Sequence, residues 1–191
     1  MRYIVTLGLI MIAYSCNNLR TTNYDNPFKT YYSQINEISL PVQFDCHNDS
    51  AYTKYSNDNI NDTLKIKFKP EGCNIFGRLS IYDSIVSIIY MMSADFYYPT
   101  IFTYKLDGTP IDTFCLYSGE SCDGFPGQGS RSIGSISKNN LIVLSDTLRT
   151  YQLDSLDNII EDSDTLTIST YRYKMLNNGH FEKIDENKVK K

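Results

Sequence analysis

From residue 28 onward this chain shows no convincing helical stripe, while short runs rich in Ile, Val, Tyr, Thr and Phe recur throughout, each bounded by Asn, Asp, Gly or Ser. Apolar periodicity decides secondary structure, and a period of two bounded by turn-formers specifies strands. Candidate strands are 38–45, 63–69, 75–82, 84–92, 99–106, 110–117, 132–137, 140–145, 148–153, 165–175 and 180–185. Residues 63–69 (TLKIKFK) alternate most clearly, with Leu64, Ile66 and Phe68 expected inward. Only 28–36 (FKTYYSQIN) is expected to form a short helix. The pattern predicts an all-β domain of about eleven mostly antiparallel strands with little helix, arranged as a sandwich, barrel or propeller-like meander.

Two hairpin turns stand out. Asp107-Gly108 and Asn178-Gly179 each separate two strand runs, and both dipeptides suit the paired positive φ angles of a type I′ turn. A weaker turn lies at Leu156-Asp157-Asn158. Tyr104-Lys105-Leu106-Asp107, Tyr151-Gln152-Leu153-Asp154 and Tyr173-Lys174-Met175-Leu176 repeat at strand ends. The first two are spaced like propeller blades, but any β-meander repeats the same grammar.

The amino terminus reads differently. Arg2 is followed by YIVTLGLIMIAYS and then Cys16. The charged start and apolar run of about 13 residues have the layout of an export signal and are too short to span a bilayer. Ala13-Tyr14-Ser15-Cys16 resembles the lipobox of bacterial lipoproteins, although Ala13 stands where Leu is commoner. That resemblance implies cleavage after residue 15 and lipidation of Cys16, with enough acyl chains for stable anchoring. Residues 16–27 then form a polar, lipidated tether, 28–186 the β domain, and 187–191 a basic solvated tail. No acidic cluster follows Cys16, so the expected address is the outer membrane facing the periplasm, with surface display as the alternative.

Pro99 to Glu182 (PTIFTYKLDGTPIDTF, LSDTLRTYQLDSLDN and YRYKMLNNGHFE) resembles a group of uncharacterised lipoproteins of Bacteroidota, over about half the chain. The shared features are turn grammar rather than catalytic signatures. The resemblance therefore implies a fold and a location, not a reaction.

Cysteine and charge narrow the function classes. Cys46, Cys73, Cys115 and Cys122 remain after Cys16, an even number that suggests disulfides in an exported protein. Cys115 with Cys122, and Cys46 with Cys73, are the expected pairs; buried thiols and a metal site are the alternatives. The net charge of −4, made one unit more negative when Arg2 leaves, disfavours nucleic acid as a partner. The expected partners are the membrane through the N-terminal lipid, and another envelope protein or a glycan.

Few residues carry a chemistry signal. The segment 118–131 (SGESCDGFPGQGSR) is the most unusual, and its Glu120, Asp123, Phe125 and Arg131 are candidate ligand contacts. Gly124 to Ser130 has phosphate-loop spacing but lacks the lysine that reaches the phosphates. Asp45-Cys46-His47-Asn48-Asp49 gathers a histidine and two carboxylates, but reads more simply as a turn. With only two histidines, His47 and His180, catalytic triads have few bases. No cofactor motif is present and none is expected. Tyrosine is abundant, 16 residues against no tryptophan. It suits interfaces and glycans as well as sheet packing.

Asp, then Ser or Thr, then a small or aliphatic residue or Thr occurs six times, at Ser50, Thr63, Ser84, Thr147, Ser155 and Thr165. Random order gives about one. The motif is similar to the O-glycosylation acceptor of exported Bacteroidota proteins, and equally to turn-then-strand grammar. The function expected from these features is binding rather than turnover. The alternatives are an inhibitor or immunity-type lipoprotein acting through 118–131, and a carbohydrate-active hydrolase whose carboxylates are assembled by the fold.

Overall fold

The computed structural model describes residues 26–48, 60–93, 97–118, 122 and 128–191. Their order is α1 (Pro27–Ser33), β1 (Val42–Asp45), α2 (Asp62–Phe68), β2 (Cys73–Leu79), β3 (Ile85–Ser93), β4 (Tyr97–Lys105), β5 (Pro110–Cys115), β6 (Gln128–Ile136), β7 (Leu141–Thr150), β8 (Thr165–Met175) and β9 (Phe181–Lys190). The strands form two antiparallel sheets. β2-β3-β4-β5 is a simple meander, and β1-β6-β7-β8-β9 recruits the early strand β1 against β6. The all-β expectation holds, as a sandwich with a thin helical layer on one side.

Strand β3 explains the layering. Its run IVSIIYM is buried almost end to end, as expected for a strand covered on both faces. Successive side chains point to opposite faces. Val86, Ile88 and Tyr90 pack with Phe28, Tyr31, Ile35 and Ile60 from the helical layer. Ile89 and Met91 pack with Phe44, Ile136, Ile142 and Leu144 of the second sheet. Phe44 and Phe76 meet edge to face at 5.0 Å, joining the sheets. Each such aromatic or large aliphatic side chain contributes about 1.5–3 kcal/mol when fully buried. In the helical layer the Tyr31 and Tyr90 hydroxyls are 3.1 Å apart, and burial raises the Tyr31 phenol to about 12.

Helix α1 begins one residue earlier than the sequence pattern suggests. Asn26 caps it by accepting from the Phe28 and Lys29 amides, and Pro27 supplies a preset φ at the first position. The folded unit therefore starts within the stretch read as tether. At the other end, β9 carries Asn187 to Lys190 in register with β8, where a solvated tail was expected.

Residues 63–68 are helical, not a strand, and Lys69 is the extended C-cap. Asn61 caps α2 through the Thr63 amide, Asp62 lies in its first turn, and Lys65 and Lys67 in its last. Those charges complement the helix dipole. Leu64 and Phe68 pack toward the helical-layer core at i,i+4 spacing, while Ile66 is 86% exposed. The two strands expected at 140–145 and 148–153 are replaced by one continuous strand, β7, which ends at Thr150.

The hairpin turns also differ from expectation. Only the glycine of each dipeptide has positive φ, +93° at Gly108 and +88° at Gly179, so neither is type I′. Each closes a three-residue loop. The Gly108 amide donates to Lys105 O at 3.0 Å, and the Gly179 amide to Leu176 O at 3.0 Å. Asn140 (φ 64°) and Asp157 (φ 61°) occupy the same place in two more copies. Glycine is needed where a Cβ would strike packed side chains, the Phe28 ring at Gly108 and Ile111 at Gly179. The repeated Tyr-x-x-Asp motif thus marks turns of a two-sheet structure rather than propeller blades.

Candidate functional site

β5 lies as an edge strand over the inner face of the second sheet. Its Phe114 meets Tyr173 edge to face at 4.7 Å and stacks on Phe181 at 4.8 Å. Two residues on, the Leu116 carbonyl sits directly over Gly134 of β6, where no Cβ would fit. Beside this crossing the sheets part, leaving a cleft of about 330 Å³. Leu144, Tyr171 and Tyr173 form its floor, and Phe114, Cys115, Tyr117 and Ser118 its wall. Alternation along β8 places both tyrosines on the same inner face. The Lys183 ammonium stands 5.3 Å from the Tyr171 ring and donates to Glu186 at 2.6 Å. That carboxylate raises the lysine's pKa.

Four of the seven residues lining the cleft are aromatic, and Ser118, Cys115 and the tyrosine hydroxyls supply its polar groups. Cys115 is reduced, and burial pushes its thiol above the ordinary range. It is a wall group rather than a nucleophile, since reactivity requires the thiolate.

Asp146 occupies the next inward position of β7 after Leu144. It is 3% exposed and accepts from the Ser132 hydroxyl, but its second carboxylate oxygen has no partner among the described residues. Its cross-strand neighbour Ser169 is also buried. Leaving a buried acceptor unpaired costs about 1–3 kcal/mol.

The sequence-derived candidates separate on the structure. Cys46 is bonded to Cys122, across 76 residues of chain, so both expected pairings are corrected. Cys73 and Cys115 are free thiols. Cys73 packs in the helical-layer core, on the opposite side of its sheet from Cys46. The amide and carbonyl of Ser132 engage Cys46, with Ser132 N to Cys46 Sγ at 3.1 Å and Cys46 N to Ser132 O at 3.1 Å. Spacing favoured Cys115 for Cys122 because they are close in sequence; antiparallel pairing of β1 with β6 brings Cys46 there instead.

Arg131 points to the outer face of the second sheet, where it grips both oxygens of Asp45. It is thus apart from the cleft, while Glu120, Asp123 and Phe125 lie outside the described residues, as do Cys16 and Ser50. The His47 ring contacts the Ser130 carbonyl at 2.8 Å and the His180 ring contacts Asp112 at 3.1 Å. No grouping of three or more His, Cys, Asp or Glu suited to a metal occurs among the described residues. Thr63, Ser84 and Ser155 are exposed, whereas Thr147 and Thr165 are half-buried in strands.

Phe114, Tyr117 and Tyr171 were not singled out from sequence, while Tyr173 entered only as part of a turn repeat and Asp146 only as the first residue of a glycosylation motif. One signal was present: Asp146 breaks an inward row of Ile142, Leu144 and Leu148. Comparison with known proteins finds no matching family model, and no similar curated protein or solved structure.

Proposed function

We propose that this chain is a membrane-anchored envelope lipoprotein that binds a ligand rather than converting it, with Cys16 carrying the lipid and the tyrosine-floored cleft receiving a glycan. The observation supporting this reading is the convergence of Phe114, Tyr117, Tyr171 and Tyr173 on one open cleft. Aromatic rings offer apolar faces to the C–H face of a sugar ring, and tyrosine hydroxyls and Ser118 offer hydrogen bonds at its edge. Its volume lies within the range of small-molecule pockets. Among the described carboxylates, Asp45, Asp112, Asp164 and Asp185 are each engaged by a basic side chain, Arg131, His180, Arg149 and Arg172 respectively. A binding role therefore fits this geometry better than paired-carboxylate hydrolysis.

The test is a glycan array probed with the soluble domain beginning at Asn26. Selective binding that falls at least about tenfold in a Tyr171→Ala/Tyr173→Ala variant supports the reading. Binding that survives the double substitution, or no glycan bound at all, rejects it. The anchor is tested separately: Cys16→Ala is expected to move the protein from the membrane to the soluble fraction.

A further inference from the structure

The connection between β7 and β8 is long, yet closely tied. The Asp154 amide donates to Asn158 O at 2.9 Å, and the Asp154 carboxylate accepts from the Leu156 and Asn158 amides. Those contacts hold the carboxyl below its ordinary range. The Ile160 amide returns to Gln152 O at 2.9 Å, and the Ser163 hydroxyl links Ile160 O to the Gln152 amide. Leu153 and Ile159 form a β-bridge. These bonds restrict the loop before any partner arrives, which lowers the ordering cost of binding.

What this loop displays is unusual for a surface. Leu156 is 78% exposed, Ile159 54% and Ile160 43%, all within five consecutive residues. Around them stand Asp157, Glu161 and Asp162, and residues 151–164 contain no Lys or Arg. Scattered exposed apolar residues need no explanation, but three on one constrained projection mark an interaction site.

We infer that the 151–164 loop docks into a protein partner through an apolar socket ringed by lysine or arginine. Charge selects this occupant. Interfacial membrane segments carry basic residues, because bilayer surfaces are anionic; an acidic collar around Leu156 is repelled there. A second copy, whose β9 exposes Val189 between Lys188 and Lys190, is the competing occupant that the test separates, and its arginines do not favour it. The outer-face arginines Arg131, Arg149 and Arg172 are already paired with Asp45, Asp164 and Asp185. The inference uses no residue of the aromatic cleft, so it stands whether or not a glycan binds there.

The experiment places the photocrosslinker p-benzoylphenylalanine at position 156 of the full chain in its host. A control carries it at position 184, an exposed isoleucine on β9. The expected result is one protein adduct at least about tenfold stronger from position 156 than from 184. Its crosslinked peptide is apolar and flanked by Lys or Arg. Charge reversal by Asp157→Lys, Glu161→Lys and Asp162→Lys abolishes the adduct, while Tyr171→Ala/Tyr173→Ala leaves it unchanged. Circular dichroism checks that each variant remains folded. No adduct, equal adducts from both positions, an adduct that survives charge reversal, or an adduct to this chain itself would overturn the proposal. So would crosslinking to lipid, tested separately with the purified chain on phosphatidylcholine/phosphatidylglycerol vesicles.

Discussion

The Leu116 carbonyl oxygen rests on Gly134, at the point where the chain leaving β5 crosses β6. A side chain at 134 would collide with backbone, which cannot rotate aside as a flexible side chain could. Gly134→Ala is therefore expected to cost about 2–3 kcal/mol. Chemical denaturation monitored by tyrosine fluorescence measures this. A loss within about 0.5 kcal/mol, the range of ordinary surface substitutions, would show that the sheets do not cross so closely.

Oxidised protein should yield one linked peptide pair, Cys46 with Cys122, while Cys73 and Cys115 alkylate after unfolding. Cross-links over long loops constrain the unfolded chain most. Cys46→Ala/Cys122→Ala is expected to lose about 2–4 kcal/mol. Mass mapping without reduction checks the pairing, and a Cys115–Cys122 peptide would contradict it.

Asp45 gives an acid dependence of definite sign. The Arg131 guanidinium holds its carboxyl below the ordinary value of 3.8, aided by the His47 amide. A depressed folded-state value means that the stabilisation is present above pH 3.8 and is lost as pH falls through the lower value. Asp45→Asn should thus be less stable than the parent at about pH 7, and the gap should close below the ordinary carboxylate range. A gap that stays constant across that range would remove the ion pair as its cause.

Among the glycosylation candidates, exposure sets an order. Ser155 lies in the projecting turn, and Thr63 and Ser84 lie at exposed element starts. Thr147 is hydrogen-bonded into a strand flanked on both sides, between β6 and β8. Host-made protein should carry sugar at Ser155, Thr63 or Ser84 in preference to Thr147, as read by peptide mass analysis. Full occupancy at Thr147 alone would reverse that order.

Much of this architecture was legible because a sheet's local rules are strict. β3, β4 and β5 were readable from apolar runs broken by turn residues, and the Asp107-Gly108 and Asn178-Gly179 hairpins fell where expected. The misreading at Thr63 to Lys69 has a simple cause. Leu64 and Phe68 are four apart, a spacing that suits one helical face and one strand face alike, and Ile66 between them decided for the strand. The Asn61 cap and the charge order Asp62 before Lys65 and Lys67 were the better signals. The disulfide and the cleft were not legible for a different reason. Cys46 reaches Cys122, and Phe114 reaches Tyr173, only through sheet order and crossing, which spacing along the chain does not encode. Turn type failed on a finer point: the dipeptide fixes where φ turns positive, but loop length decides whether one residue or two do so.

The Asn26 side chain donates to Leu106 O at 2.7 Å, and Phe28 packs against the neighbouring Gly108. Tension entering the chain ahead of Asn26 meets α1 first, a helix held to its sheet by side chains rather than by a backbone ladder. Strands sheared along their ladders resist as many bonds at once, whereas α1 can peel from Phe28 inward, one contact after another. A pull from that end is therefore expected to strip α1 first, carrying Tyr31 away from Tyr90 before the load reaches the core between the sheets.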